Sequence, residues 1–141
     1  MFIGQFEHNI DKKGRLFIPA KFKDAIGETF IVSREIGSKN CLSLYTISEW
    51  EKLNARIEKL PYAKAREVRL YLHPNSSELT PDAQGRIIIP TALREYANLD
   101  ESAIIIGTGQ NIEIWNKEKW AQESAAISAE HIMDILDSSE F

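Results

Sequence analysis

Apolar and polar residues follow one another in short runs along both halves of the chain, and turn-forming residues separate the runs. Short runs bounded by Gly, Pro, Asn, Asp or Ser are typical of β-strands. The first half predicts strands at residues 6–10, 15–18, 29–34 and 41–45, with a turn at 37–40. The second half predicts strands at residues 78–80, 86–89, 103–107 and 112–115.

Helices are predicted between and after these strands. Pro19 and Pro90 each suit the first turn of a helix, which predicts a short helix at 20–25 and another from residue 90. Ser48 and Glu51 have the spacing of a capping box and predict a helix to about residue 60. Asn116 is a further candidate helix cap. Helical spacing also predicts a linker helix within 61–74 and a C-terminal helix over 121–136. The apolar face of that last helix contains Ile132, Met133, Ile135 and Leu136.

One nine-residue pattern occurs twice in the chain. DKKGRLFIP occupies residues 11–19 and DAQGRIIIP occupies residues 82–90, so the copies stand 71 residues apart. Asp favours the first position of a turn and Gly the fourth, which predicts one turn from Asp11 to Gly14 and another from Asp82 to Gly85. The match continues beyond the proline at a spacing of 70, so the repeated unit is a whole β-turn-β-α-β-β-α motif.

Each repeat is too small to bury a core of its own. The sequence therefore predicts an α+β fold, mainly β, in which two tandem repeats pair about a pseudo-two-fold axis into one small barrel. The expected division is a first repeat at 1–60, a linker helix at 61–75, a second repeat at 76–120 and an acidic helical tail at 121–141. Ile87 and Ile89 point to one face of their strand and Ile88 to the other, and we expect both faces to be covered.

Composition places the chain among soluble cytosolic proteins. It has 141 residues, of which 43% are hydrophobic and 27% charged. No apolar run approaches the roughly 20 residues that span a bilayer, and the pattern of the first residues predicts no signal peptide. The single cysteine, Cys41, cannot form an internal disulfide and is expected to be buried.

The net charge of −4 hides an uneven distribution. The tail, 121–141, contains five acidic residues and no Lys or Arg, whereas residues 1–23 contain five basic residues against two acidic ones. This asymmetry indicates an acidic partner for the first repeat. The five basic residues are Lys12, Lys13, Arg15, Lys21 and Lys23.

Two interpretations fit the arginine of each motif. Arg15 and Arg86 can each close a turn by pairing with the Asp four residues earlier, and they can also meet phosphates or a guanine edge. The two roles are compatible, because the Asp can orient the Arg. The lysines beside Arg15 become Ala and Gln in the second copy, and only Lys23 keeps a basic counterpart, Arg94. We therefore expect the first copy to face a nucleic acid and the second to support the barrel.

Other kinds of site have little support in the sequence. The three histidines, His8, His73 and His131, lack the spacing of metal ligands, and no Gly-rich loop suggests a nucleotide cofactor. We therefore expect no metal, no cofactor and no small-molecule substrate. The tryptophans are expected in the core or at subunit contacts, and they are Trp50, Trp115 and Trp120.

These motifs together resemble the MraZ family of bacterial transcriptional regulators. The resemblance is carried by MFIGQFEHNIDKKGRLFIPAKFK, by LTPDAQGRIIIPTALREYANL and by IEIWNKEKW. It implies two tandem SpoVT-AbrB half-barrels, a ring of subunits, and binding to repeated G-rich boxes in double-stranded DNA. It also implies repression of a division and cell-wall gene cluster that includes the protein's own gene, in the cytoplasm on the nucleoid.

The candidate residues divide by role. We expect DNA contacts from the clustered basic residues Lys12, Lys13, Lys21 and Lys23, and the resemblance favours a DNA contact for Arg15 as well. The repeated motif assigns the formation of the turns and the orientation of their arginines to Asp11, Gly14, Asp82, Gly85 and Arg86. Two alternatives stay open: an AbrB-like antitoxin or other partner-binding protein, and a small enzyme that uses Asp11 and Asp82.

Overall fold

The computed structural model describes residues 1–37 and 40–141 as strands, helices and connecting turns. The strands are β1 (Gln5–Asn9), β2 (Arg15–Phe17), β3 (Phe30–Arg34), β4 (Leu42–Thr46), β5 (Ser77–Leu79), β6 (Arg86–Ile88), β7 (Ser102–Gly107) and β8 (Ile112–Trp115). The helices are α1 (Lys23–Ile26), α2 (Ile47–Glu58), α3 (Tyr62–Leu72), α4 (Thr91–Tyr96), α5 (Lys117–Ala126) and α6 (Ala129–Asp137). Short 3-10 turns at Ala20–Phe22 and His73–Asn75 precede α1 and follow α3.

One sheet contains strands of both repeats. Six strands pair antiparallel in the order β1-β7-β8-β4-β3-β5, and β2 pairs antiparallel with β6 in a separate ribbon. The contacts β1–β7, β4–β8, β3–β5 and β2–β6 each join a strand of the first repeat to one of the second. Neither repeat could form this sheet alone, which is the structural reason for the duplication.

The main core lies between the sheet and the ribbon. Leu16 of β2 and Ile87 of β6 belong to the same buried cluster as Val32 and Ile105 of the sheet. At one edge of this core, the ring of Phe22 meets those of Phe2 and Phe6 edge-on, at centroid distances of 5.4 and 5.3 Å. The structure thus has the α+β fold that the duplication predicts, in which two repeats pair around one core.

The linker helix is confirmed as α3, which packs with α2 around the buried residues Ile57, Ala65 and Leu72. The start of α2 corrects the predicted capping box. Thr46, the last residue of β4, has an extended backbone, and its Oγ1 accepts a hydrogen bond from the Glu49 amide at 3.1 Å. Ser48 therefore lies inside the helix, since the cap is set by where the strand ends.

The C-terminal helix over 121–136 is wrong as a single element. Ile127 has an extended backbone and ends α5, and Ser128 caps α6 by accepting the His131 amide at 3.1 Å on its hydroxyl. The predicted apolar face does exist on α6. Its residues Ile132, Met133 and Ile135 are exposed to solvent.

Three smaller expectations have mixed outcomes. Ile87 and Ile89 are buried as predicted, but Ile88 is 57% exposed, because no described residue covers the outer face of the ribbon. Cys41 and Trp115 are buried, in one cluster beside β7 and β8. The predicted turn at 37–40 includes residues 38 and 39, which lie outside the described residues.

Candidate nucleic-acid interface

The first turn is held together by the carboxylate of Asp11. Its Oδ1 accepts hydrogen bonds from the backbone amides of Lys13 and Arg15, at 3.0 and 2.9 Å. Its Oδ2 accepts the Nε of Arg15 at 2.5 Å. The amide of Gly14 donates to the Asp11 carbonyl at 2.9 Å and closes the turn, with Gly14 at φ +79°. One side chain thus forms the turn and orients the guanidinium at its mouth.

The second turn has the same construction. Asp82 Oδ1 accepts the amides of Gln84 and Arg86, both at 2.9 Å, and Oδ2 accepts Arg86 Nε at 2.9 Å. Gly85, at φ +83°, donates to the Asp82 carbonyl at 2.9 Å. The repeated motif is therefore a repeated three-dimensional structure, in which Asp11 and Asp82 have identical roles.

These hydrogen bonds keep both carboxylates ionised. The backbone amide of Arg15 is the largest cause that lowers the pKa of Asp11, and the amide of Arg86 lowers the pKa of Asp82 in the same way. A general acid or base needs a pKa near the working pH. The lowered pKa of each carboxyl therefore suits the orientation of an arginine and not proton transfer.

Both arginines lie on the outer face of the β2–β6 ribbon. Arg15 is opposite Ile88 and Arg86 is opposite Phe17, while the intervening pair, Leu16 and Ile87, points into the core. The Arg15 and Arg86 side chains are 29% and 21% exposed. Among the described residues, each guanidinium pairs with its Asp through Nε only, so its two terminal nitrogens remain as donors for a ligand.

Backbone hydrogen bonds beyond the ends of the ribbon strands also join the two repeats. The Ile18 amide donates to the Gly85 carbonyl at 3.3 Å, and the Ile89 amide donates to the Gly14 carbonyl at 3.2 Å. The two turns therefore lie at opposite ends of one short ribbon, and their arginines face the same side.

Each turn also carries a basic side chain from the other repeat. A Cβ added to Gly14 would come within 2.6 Å of the guanidinium carbon of Arg94, and one added to Gly85 within 2.8 Å of Lys23 Nζ. Arg94 is further held by the Ile89 carbonyl at 3.0 Å and the Thr91 hydroxyl at 3.1 Å. Lys23 lies in the helix that follows the first turn, as the sequence predicts, and its side chain reaches across the ribbon to the glycine of the second turn.

The remaining predicted lysines surround the first turn and the 3-10 turn that follows β2. Lys12, Lys13 and Lys21 are exposed, and within residues 1–37 and 40–141 none of them forms an ion pair with a carboxylate. The second turn has Ala83 and Gln84 where the first has Lys12 and Lys13. The two repeats therefore differ in their lysines and not in the placement of Arg15 and Arg86. Arg86 lies on the same outer face as Arg15, and the expectation that the second copy supports the barrel stays a prediction.

This arrangement can bind a polyanion. The ribbon carries two oriented guanidinium groups, and exposed lysines lie in the turns that adjoin it, so positive charge is concentrated around the ribbon of a protein whose net charge is −4. Arg supplies a rigid fork of donors that matches phosphates and guanine edges, and lysine supplies mobile point charges. Sequence reasoning did not include Arg94 in this site, although its register match with Lys23 was a usable signal.

A second titratable cluster lies where β4 meets β8. Glu35 accepts a hydrogen bond from the Ser43 hydroxyl, and Ser43 lies opposite Glu113 in the ladder. Burial, and then the negative charge of Glu113, raise the pKa of Glu35 to about 7. Glu113 in turn accepts the Trp115 indole N–H at 2.9 Å. This cluster joins the two repeats where β4 pairs with β8. Because the pKa of Glu35 is raised, the cluster can make the stability of the fold depend on pH.

Among the described residues, no three His, Cys, Asp or Glu side chains come together as ligands of a metal ion would. In the same part of the chain, no helix combines the length and the apolar character needed to cross a bilayer.

Comparison with known proteins places the chain among relatives of the same length. The sequence model of the family described as "MraZ protein, putative antitoxin-like" matches residues 1–71 and 74–138. A protein of Desulforamulus reducens named "Transcriptional regulator MraZ" is 42% identical over 144 residues, which cover 96% of this chain and all of the relative. Proteins of the same name from Heliobacterium modesticaldum and Caldanaerobacter subterraneus subsp. tengcongensis are 39% and 40% identical. These alignments cover 96% of both chains for the first and 98% of both for the second. The chain therefore belongs to the MraZ family.

Proposed function

We propose that this protein is a transcriptional regulator that binds double-stranded DNA through the outer face of the β2–β6 ribbon and the two turns beside it. The observation that carries this proposal is the pair of arginines, Arg15 and Arg86, each oriented by an Asp on one exposed face. A two-stranded ribbon is narrow enough to enter the major groove, where Arg can bind the O6 and N7 atoms of guanine. Relatives named as transcriptional regulators support the same function.

In this proposal, some residues contact base edges and others contact phosphates or shape the turns. Arg15 reads a base edge, and Lys12, Lys13 and Lys21 neutralise phosphates around it. Lys23 has the same phosphate-binding role beside the second turn, where its side chain lies against Gly85. Asp11 and Asp82 orient their arginines, and the positive φ of Gly14 and Gly85 shapes the turns. Arg86 makes a weaker contact, because its turn lacks the companion lysines.

The proposed target is the control region upstream of the protein's own gene cluster, which contains division and cell-wall genes. The protein would act there as a repressor, on repeated short G-rich boxes, in the cytoplasm on the nucleoid. This part of the proposal rests on the family resemblance. The proposed domain division is 1–60, 61–75, 76–120 and 121–141, as above.

We also propose that subunits associate into a closed ring. The exposed apolar residues of α6, Ile132, Met133 and Ile135, support this, since such a face is stabilised when a neighbouring copy covers it. Rings arise when one surface patch binds a different patch on the next copy and the rotation closes. Several ribbons on one ring could then engage several boxes on one DNA.

The antitoxin-like wording of the family description favours a second function, the binding of a partner protein. The apolar face of α6 would suit such a partner as well as a second copy. An enzymatic role for Asp11 and Asp82 is disfavoured, because each carboxylate is already used by two amides and a guanidinium.

A gel shift with the DNA upstream of the protein's own gene tests the main proposal. We expect a complex that survives an excess of unrelated DNA and weakens steeply as salt increases. Binding that unrelated DNA removes completely, or that does not depend on salt, would contradict sequence-specific recognition by this face.

A further inference from the structure

The outer face of the β2–β6 ribbon exposes two large apolar side chains. Phe17 is 46% exposed and Ile88 is 57% exposed. The register places Phe17 opposite Arg86 and Ile88 opposite Arg15, and residues that are paired in an antiparallel ladder point to the same face. The four side chains therefore form a rectangle in which arginine and apolar corners alternate.

The two apolar corners are equivalent positions of the repeat. Phe17 and Ile88 stand 71 residues apart, the same spacing as Arg15 and Arg86. The strand position before each of them, Leu16 or Ile87, points inward and is buried. A half-exposed strand normally carries polar residues on its outer face. Both copies break that pattern at the same place, and core packing explains neither.

The charges around these side chains point to an anionic partner. Each apolar corner has an arginine as its cross-strand neighbour, and Lys12 and Lys13 extend from the adjoining turn. Two copies of the same face would bring these positive charges together, which disfavours self-association. The partner must offer negative charge at its edge and a small apolar group between hydrogen-bond acceptors.

We propose that Phe17 and Ile88 contact thymine methyl groups in the major groove, and that they determine a preference for thymine beside the guanines bound by the arginines. The C5-methyl of thymine is the apolar group that B-DNA presents there, next to the N7 and O6 acceptors that Arg binds. This inference rests on the proposed DNA-binding function and names two specificity residues for it.

The dimensions of the face fit this assignment. Side chains directly across an antiparallel pair are about 5 Å apart at Cβ. Residues i and i+2 on one strand are about 7 Å apart. Base pairs rise about 3.4 Å per step, so an arginine and its apolar neighbours lie within about two steps of each other. A guanine contact and a thymine methyl contact can therefore be made by adjoining corners of one rectangle.

The test compares two versions of one DNA fragment, the region upstream of the protein's own gene. One version is made by amplification with dTTP and the other with dUTP, so that the second lacks the thymine methyls on the amplified strands. Wild type is expected to bind the dTTP fragment more tightly, by about fourfold for each methyl contact. Phe17→Ala with Ile88→Ala in one chain should bind both fragments with equal affinity.

The control variant is Ile127→Ala, which truncates an isoleucine of similar exposure, 53%, away from the ribbon. It should keep the wild-type preference for the dTTP fragment. Circular dichroism melts of all variants check that the truncations leave the fold intact, which we expect because neither ribbon residue is buried.

Three outcomes would overturn the inference, and they are distinguishable. If wild type binds both fragments equally but specifically, the methyl contact is wrong and the proposed function stands. If wild type binds neither fragment, the proposed function itself fails. If the double variant keeps the methyl preference but elutes at a lower mass, the ribbon face is a contact between copies.

Discussion

Replacing Arg15 by alanine, with Arg86→Ala as its matched partner, separates DNA reading from support of the fold. The two arginines are nearly equivalent in structure. The Nε of Arg15 contacts Asp11 at 2.5 Å, and the Nε of Arg86 contacts Asp82 at 2.9 Å. Both side chains lie on the same ribbon face and have similar exposed fractions. Any difference between the variants must therefore come from what surrounds each turn.

The expected effects on stability are small and equal. Both ion pairs are partly exposed, and the backbone hydrogen bonds to Asp11 and Asp82 survive the substitution. Surface pairs of this kind contribute little to folding, so each variant should melt within about 4 °C of wild type. Sizing columns should show an unchanged oligomer for both.

The expected effects on DNA binding differ. A lost Arg–guanine contact weakens binding about 5- to 150-fold at one site, and the proposed ring would multiply the loss by engaging several boxes. Arg15→Ala should therefore abolish the specific gel shift, whereas Arg86→Ala should weaken it less, because its turn lacks lysines. Equal loss in both variants would refute the proposed difference between the repeats. Unfolding of Arg15→Ala would refute the view that this residue reads DNA without supporting the fold.

Three further predictions concern other parts of the molecule. Lys12→Ala and Lys13→Ala should each weaken binding evenly across sequences and reduce the slope of log affinity against log salt by about 1, while Lys64→Ala on α3 should leave the slope unchanged. The pKa of Glu35 is raised to about 7, so the folded state holds this proton more tightly than the unfolded state, and the melting temperature should fall as pH rises from about 4.5 through about 7. Glu35→Gln should flatten that pH dependence, and an unchanged slope would assign it to another group. Removal of residues 128–141, which contain α6, should lower the mass measured by light scattering, and an unchanged ring would show that α6 is not a subunit contact.

The turns could be predicted from the sequence because their interactions are local. The hydrogen bonds that the Asp11 carboxylate accepts in the first turn join residues no more than four positions apart. The same holds from Asp82 to Arg86. A nine-residue pattern therefore contains the residues that form the turn, and its second occurrence predicts a second turn of the same structure.

The pairing of strands between repeats could not be read in the same way. β1 pairs with β7 and β5 pairs with β3, across separations that no local pattern encodes. The exposure of Ile88 also follows from that pairing, because the ribbon leaves the sheet and turns one face to solvent. Three adjacent isoleucines look like a fully buried strand until the partner strand is known.

The crossing of basic side chains shows why duplication serves function as well as folding. In the first turn, which belongs to the first repeat, Arg94 of the second repeat lies against Gly14. In the second turn, which belongs to the second repeat, Lys23 of the first repeat lies against Gly85. Gly14 and Gly85 allow this approach, since a Cβ at either position would meet the basic group within 2.8 Å. Each basic surface is therefore built from both repeats, and a single repeat could form neither. The two turns can therefore differ in their lysines and keep the same structure, because the arginine at each turn is oriented by its own Asp and the crossing side chain comes from the other repeat. The duplicated fold thus repeats the backbone of the turn while the two ends of the ribbon differ in positive charge.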